Sequence, residues 1–143
     1  MSQVALTEVR DLGDLGTRWR ALEERSDLSF FQSWTWTGCL AAERFPDPIL
    51  AEATDAGETT GLALFNRRRG VGRDVLFLGE TGAQPWDRLA IEHNGPLTAR
   101  GHTDTADAIL RTAVAEADLL LSGTTGAPPG HVLQTPPAPS PVP

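Results

Sequence analysis

Three stretches of the sequence hold residue types that can do chemistry. Arg67-Arg68-Arg69-Gly70-Val71-Gly72 has the R-x-x-G-x-G spacing that presents backbone N–H groups to a pyrophosphate. That chemistry needs glycines for close backbone approach and a helix starting there, so that its N-terminal amides and dipole meet the phosphates. Here Arg73-Asp74-Val75-Leu76-Phe77-Leu78-Gly79 follows and reads as a strand, and Gly82 and Pro85 exclude a long helix. A hairpin turn is therefore expected, and Arg67, Gly70 and Gly72 are kept only as weak cofactor-binding candidates. His93, between Glu92 and Asn94, is the best single acid/base candidate, because an imidazole near a carboxylate titrates close to neutral pH. Neighbours on a strand point to opposite faces, so Glu92 and His93 need not touch, and a surface histidine is the plainer reading. Asp87, in Trp86-Asp87-Arg88, can orient a polar substrate beside Trp86 or belong to an exposed, ion-paired turn.

Phe30, Phe31, Trp34 and Trp36 place four of the chain's nine Phe and Trp residues within seven positions. Such a cluster is a core or packing surface, or else a stacking platform for substrate on which Trp34, Trp36 and Trp86 are the candidates. Cys39 is alone, so it has no disulfide partner within the chain, and neither His102 nor His131 joins an H-x-x-x-H spacing. No metal is expected.

The elements that would position these residues follow from periodicity. Residues 3–9 alternate weakly and predict a short strand. Asp11 or Asp14 can cap a helix whose stripe is Leu12, Leu15, Trp19 and Leu22, and Ser33 can cap a second running to Phe45, stopped by Pro46-Asp47-Pro48. Residues 48–54 and 60–66 predict a hairpin around Gly57, and residues 74–78 a third strand beyond the basic turn. Ile49, Ala51 and Ala53 share one side of the first of these strands, and Leu62, Leu64 and Asn66 one face of the next. The resulting antiparallel meander must hide an apolar face under at least one helix, and the two preceding helices are available. Asn94-Gly95-Pro96 signals a turn, Thr103 or Asp104 can cap a helix through Ala117, and residues 118–121 read as a further strand.

Composition bounds the rest. The chain has 143 residues, 40% of them hydrophobic, enough for one ordinary domain. Its 12 basic residues, all Arg, against 19 acidic ones give a net charge of -7, which argues against nucleic acid or an anionic membrane as partner. No secretory pattern opens the sequence and its apolar runs are short, so a cytoplasmic protein without a membrane anchor is expected. From Ser122 onward lie seven of the 11 prolines. Residues 123–143 are accordingly expected to be a disordered Pro-rich tail behind a domain spanning residues 1–122.

In order, Trp19-Arg20-Ala21-Leu22, Phe31-Gln32-Ser33-Trp34-Thr35-Trp36, the strand ending Leu76-Phe77-Leu78-Gly79, then Asp87 and Ile91-Glu92-His93-Asn94-Gly95-Pro96-Leu97 resemble the first half of the GNAT-superfamily acetyltransferases of the cellulose-biosynthesis CelD type. The resemblance covers residues 1–122. It implies a GNAT-like α/β (α+β) half-domain, a mostly antiparallel sheet covered by helices, and transfer of an acyl group from acetyl-CoA to an amine or sugar. It also implies that the genuine CoA-binding loop and helix lie in a second GNAT-like half. This chain is expected to be the N-terminal or truncated part of such an acyltransferase, inactive alone and binding no cofactor by itself. Its partners would be the second half or a small-molecule acceptor. The alternative is a non-catalytic interaction module that docks a partner through its aromatic face.

Overall fold

The computed structural model describes residues 2–79, 81–82, 95–102, 104–121 and 131–133. The expected Trp86, Asp87, His93 and Asn94 features, and most of the proline-rich tail, lie outside them.

Strand β1 (Gln3–Glu8) leads into helix α1 (Leu12–Glu23), a 3-10 turn (Phe30–Gln32) and helix α2 (Trp34–Arg44). Asp11 caps α1, its Oδ1 accepting from the Asp14 amide at 3.0 Å, and the Ser33 hydroxyl caps α2 by accepting from the Trp36 amide at 3.3 Å. The chain then forms β2 (Pro48–Asp55), β3 (Glu58–Arg69) and β4 (Asp74–Leu78). After β5 (Leu97–Thr98) come helix α3 (Thr105–Glu116), β6 (Asp118–Leu121) and β7 (His131–Leu133). The fold is α+β. Among the described residues its sheet has seven strands in the order β1-β2-β3-β4-β6-β7, with β5 also paired to β3. Every pairing among them is antiparallel except β4 with β6, and α3 lies in the crossover that this parallel pair requires.

The β2–β3 connection is a two-residue hairpin: Ala56 and Gly57, at φ 51° and 82°, both take the left-handed conformation that matches the twist of the strands. The β3–β4 connection differs from expectation. The basic stretch does not turn at Asn66, because Arg67, Arg68 and Arg69 stay in β3 opposite Leu76, Val75 and Asp74. The turn is confined to residues 70–73. Ladder bonding outweighs the low strand preference of a charged run when one of its side chains, Arg67, finds partners beside the sheet. Past the expected domain boundary at residue 122 there is a second difference. Residues 131–133 pair antiparallel with β6, so this part of the expected tail is strand, using backbone groups that β6 leaves open on its outer side.

Both faces of the sheet are covered. Ile49, Ala51, Ala53, Ala63, Phe65, Leu76 and Leu78 pack with Ile109 and Ala113 of α3 and with Ala117 just beyond its end. On the opposite face Leu50, Leu62, Leu64 and Leu97 pack with Leu15, Trp19 and Leu22 of α1 and Ala41 and Phe45 of the α2 end. The two face sets expected for β2 and β3 thus lie under different helices, with α1 and α2 on one side and α3 on the other. Residues 60–66 of β3 are consequently buried without a break. A Cβ built at Gly61 would lie 2.5 Å from Thr105 Cγ2 and 2.9 Å from Ile109 Cδ1, so the absence of a side chain there sets how closely α3 approaches. Gly61→Ala should therefore cost about 1–3 kcal/mol through overpacking, read as a lower urea midpoint at unchanged slope.

Candidate functional site

Among the described residues the aromatic cluster splits into two parts with different roles. The Trp34 indole is part of the helix packing. Its ring centroid is 5.7 Å from that of Trp19, and Cβ atoms built at Gly16 of α1 and Gly38 of α2 would fall 2.5 and 2.6 Å from indole atoms. The ring thus fills a slot that two glycines leave between the helices. Trp36 instead joins Phe30 and Phe31 in a separate trio, with centroids 5.8 Å (Phe30 to Phe31), 5.8 Å (Phe30 to Trp36) and 5.3 Å (Phe31 to Trp36). Phe30 is 58% exposed, and the other two are half-buried. These edge-to-face and tilted contacts leave ring surface facing outward.

Gln32 ties this trio to the rest of the site. Its Oε1 accepts from the Ser29 amide at 3.0 Å, closing a capping box over the 3-10 turn. Its Nε2 donates to the carbonyl of Pro96 at 3.1 Å and that of Gly95 at 3.4 Å. Its own carbonyl accepts from Trp19 Nε1 at 2.9 Å. One residue therefore joins α1, the aromatic turn and the strand entering β5. Sequence reading quoted Gln32 without assigning it a role. The signal available was the Ser29 to Gln32 spacing, since the contacts with Gly95 and Pro96 span more than sixty positions.

The basic turn is built differently from a phosphate cradle. Gly72 (φ 87°) lies in a turn between antiparallel strands, and β4, not a helix, follows it. A Cβ at Gly70 would collide with the Arg73 carbonyl oxygen, so glycine here permits the tight turn itself. Arg67 Nε donates to Asp47 Oδ2 at 2.8 Å, and its Nη2 donates to Asp47 Oδ1 at 3.2 Å and Glu8 Oε1 at 3.0 Å. The fork holds β1, the β2 entry and β3 together. These hydrogen bonds raise the Arg67 pKa above its ordinary value, Asp47 contributing more than Glu8, while burial opposes the shift. Because the folded pKa is the higher one, this stabilisation is fully present below the ordinary arginine pKa and is lost only as pH rises through the folded value. Arg67 is therefore charged, and engaged, throughout the neutral range.

A concave feature of about 640 Å³ lies between the C-terminal turn of α2 and the outer end of β3, bounded by Glu43, Arg44, Pro46, Asn66, Arg67, Arg68 and Thr81. Among the described residues no group of three or more His, Cys, Asp or Glu could hold a metal ion, and Cys39 is exposed. Nor is any helix among them long and apolar enough to cross a membrane. The described part of the site offers aromatic faces and guanidinium groups, which suit binding. Trp86, Asp87 and His93 lie outside it, so of the expected substrate wall only Trp34 and Trp36 can be placed, and they are in different environments.

Truncating the two tryptophans should separate those environments. Trp34→Ala leaves a hole between α1 and α2 and should destabilise by about 3 kcal/mol, whereas Trp36→Ala should cost about 1 kcal/mol, both read from chemical denaturation. Comparison with known proteins adds no relative: no family model, no curated protein and no solved structure matches the chain.

Proposed function

We propose that this chain is the N-terminal GNAT-like half of an acyl-CoA-dependent N-acyltransferase. On this reading it supplies the acceptor side, for an amine or sugar, and a second GNAT-like half supplies the cofactor-binding loop and helix. The observation that carries the proposal is the Gln32 junction. Phe31-Gln32-Ser33 and Gly95-Pro96-Leu97, two segments of the resemblance far apart in the chain, meet through direct hydrogen bonds beside an aromatic ridge. The helix-covered antiparallel meander agrees with the architecture the resemblance implies. The Arg67-to-Gly72 stretch supports the division of labour, because its guanidinium fork is engaged by carboxylates and no helix begins behind it.

A second reading, a non-catalytic docking module, is favoured by the exposure of Phe30 at the tip of the aromatic trio. Calorimetric titration of the chain alone with acetyl-CoA should give no heat, and acyl transfer should arise only when a second half is present. Saturable heat from the chain alone would overturn the division of labour. In the assembled enzyme, full activity of both the Asp87→Ala and the His93→Ala variants would remove those residues from the acceptor cleft and leave docking as the better account.

A further inference from the structure

Among the described residues β1 ends the sheet and pairs with β2 alone. The pairing runs without a register shift from Gln3 opposite Thr54 to Glu8 opposite Ile49. The Val9 amide donates to the Pro48 carbonyl at 3.0 Å, so the alternation of an antiparallel ladder directs the backbone groups of Gln3, Ala5, Thr7 and Val9 towards β2. The N–H and C=O groups of Val4, Leu6 and Glu8 are therefore directed out of the sheet edge. Open edges are ordinarily blunted by lysine, proline or a bulge, and β1 has none of the three.

The side chains of this edge suit pairing as well. Val4 and Leu6 are half-buried against the α3-side core, and half-buried Leu110 of α3 packs on the same core, so the apolar surface of that layer continues out to β1 without being fully covered. On the opposite face Ala5 and Thr7 are exposed. Glu8 is the one charged residue of the strand, and Arg67 Nη2 engages it at 3.0 Å. Two copies of a chain with net charge -7 repel each other as wholes, and an edge whose single charge is already paired is where they can approach.

The strand also matches itself. Outward-directed groups at Val4, Leu6 and Glu8 are symmetric about Leu6, so a two-fold axis there sets Leu6 opposite Leu6, Val4 opposite Glu8 and Ala5 opposite Thr7 of the second copy. This register brings the half-buried Val4 and Leu6 of both copies together on the α3 face. It keeps the two Glu8 carboxylates about 13 Å apart along the strands, beyond the ~8 Å Debye length at physiological salt.

We propose that β1 is a dimerisation edge, through which two copies of this chain join antiparallel into one continuous sheet about a two-fold axis at Leu6. A contact one strand wide belongs at the small end of interfaces, so the association is reversible and concentration-dependent, with a Kd on the order of 100 µM. It does not depend on the acyltransferase reading.

Sedimentation velocity of the whole chain from about 10 µM to 1 mM should show a monomer–dimer equilibrium. Amide exchange should slow with concentration most strongly at Val4, Leu6 and Glu8. Val4→Glu sets like charges opposite each other on both sides of the axis and should weaken the dimer about tenfold at low salt, with recovery as salt rises. Val4→Gln loses the same apolar contacts without the charge and should weaken it less. Leu6→Pro removes the outward N–H at the axis and should abolish the dimer; the Val4 pair keeps the test decisive if the proline variant fails to fold. Phe30→Ala, on the aromatic ridge, should leave the equilibrium unchanged. A monomer at every concentration, assemblies larger than two, equal dimerisation by the wild type and Val4→Glu, or loss of the dimer in Phe30→Ala would overturn the proposal.

Discussion

The two-sided burial of β3 is the constraint on which the rest of the structure depends. Through residues 60–66 this strand has no solvent face, so each side must be met by a helix layer. The α1–α2 pair meets one side and α3 the other, and Gly61 sets the closest approach on the α3 side. Neither layer suffices alone, because alternate residues of the same strand need opposite partners.

Polar structure begins where that burial stops. At Asn66 the helix layers run out and the strand's side chains turn to hydrogen bonds: Asn66 to the Asp47 amide and the Thr81 carbonyl, Arg67 to Asp47 and Glu8, Arg68 to Gly82. At the other end of the α1–α2 layer the same transition occurs around Gln32, whose amide and carbonyl are satisfied by three separate segments while the neighbouring rings of Phe30, Phe31 and Trp36 are left partly outside. The concave feature and the aromatic ridge therefore both sit at margins of the core, where side chains are held firmly enough to be positioned and still reach solvent. The interior supplies rigidity, and the margins supply chemistry.

Most elements were legible because their signals are local. Asp11 and Ser33 cap the helices they precede, Pro46 and Pro48 end α2, and the Gly57 hairpin joins the strands that alternation marks out. The elements that escaped are those decided at a distance. The extension of β3 through Arg67 depends on carboxylates delivered by β1 and the β2 entry. The separation of Trp34 from Trp36 depends on a glycine in α1, and nothing in the spacing of the aromatic residues distinguishes a ring that fills a slot from one that faces out. β5 has two residues and β7 three, too few for any periodicity to register. For the candidate site, residue types were readable while their assembly was not, since Gln32 acquires its role only when Pro96 is brought beside it.

The sheet order also carries a consequence for how the chain reaches this structure. β2, β3 and β4 are neighbours both in sequence and in the sheet, so their pairing closes short loops. β1 joins β2 only across the whole α1–α2 segment, and β6 joins β4 only across α3 and the chain before it. Closing a longer loop costs more entropy before any contact rewards it, and each doubling of length adds about 0.6 kcal/mol. The central hairpins are thus the least costly template, and the flanking strands are additions that the helices must first bring within reach. The Arg67 fork, which grips β1 and the start of β2 from β3, then works as a latch on one of these two long closures: it can engage fully only once the first strand of the chain has reached the sheet.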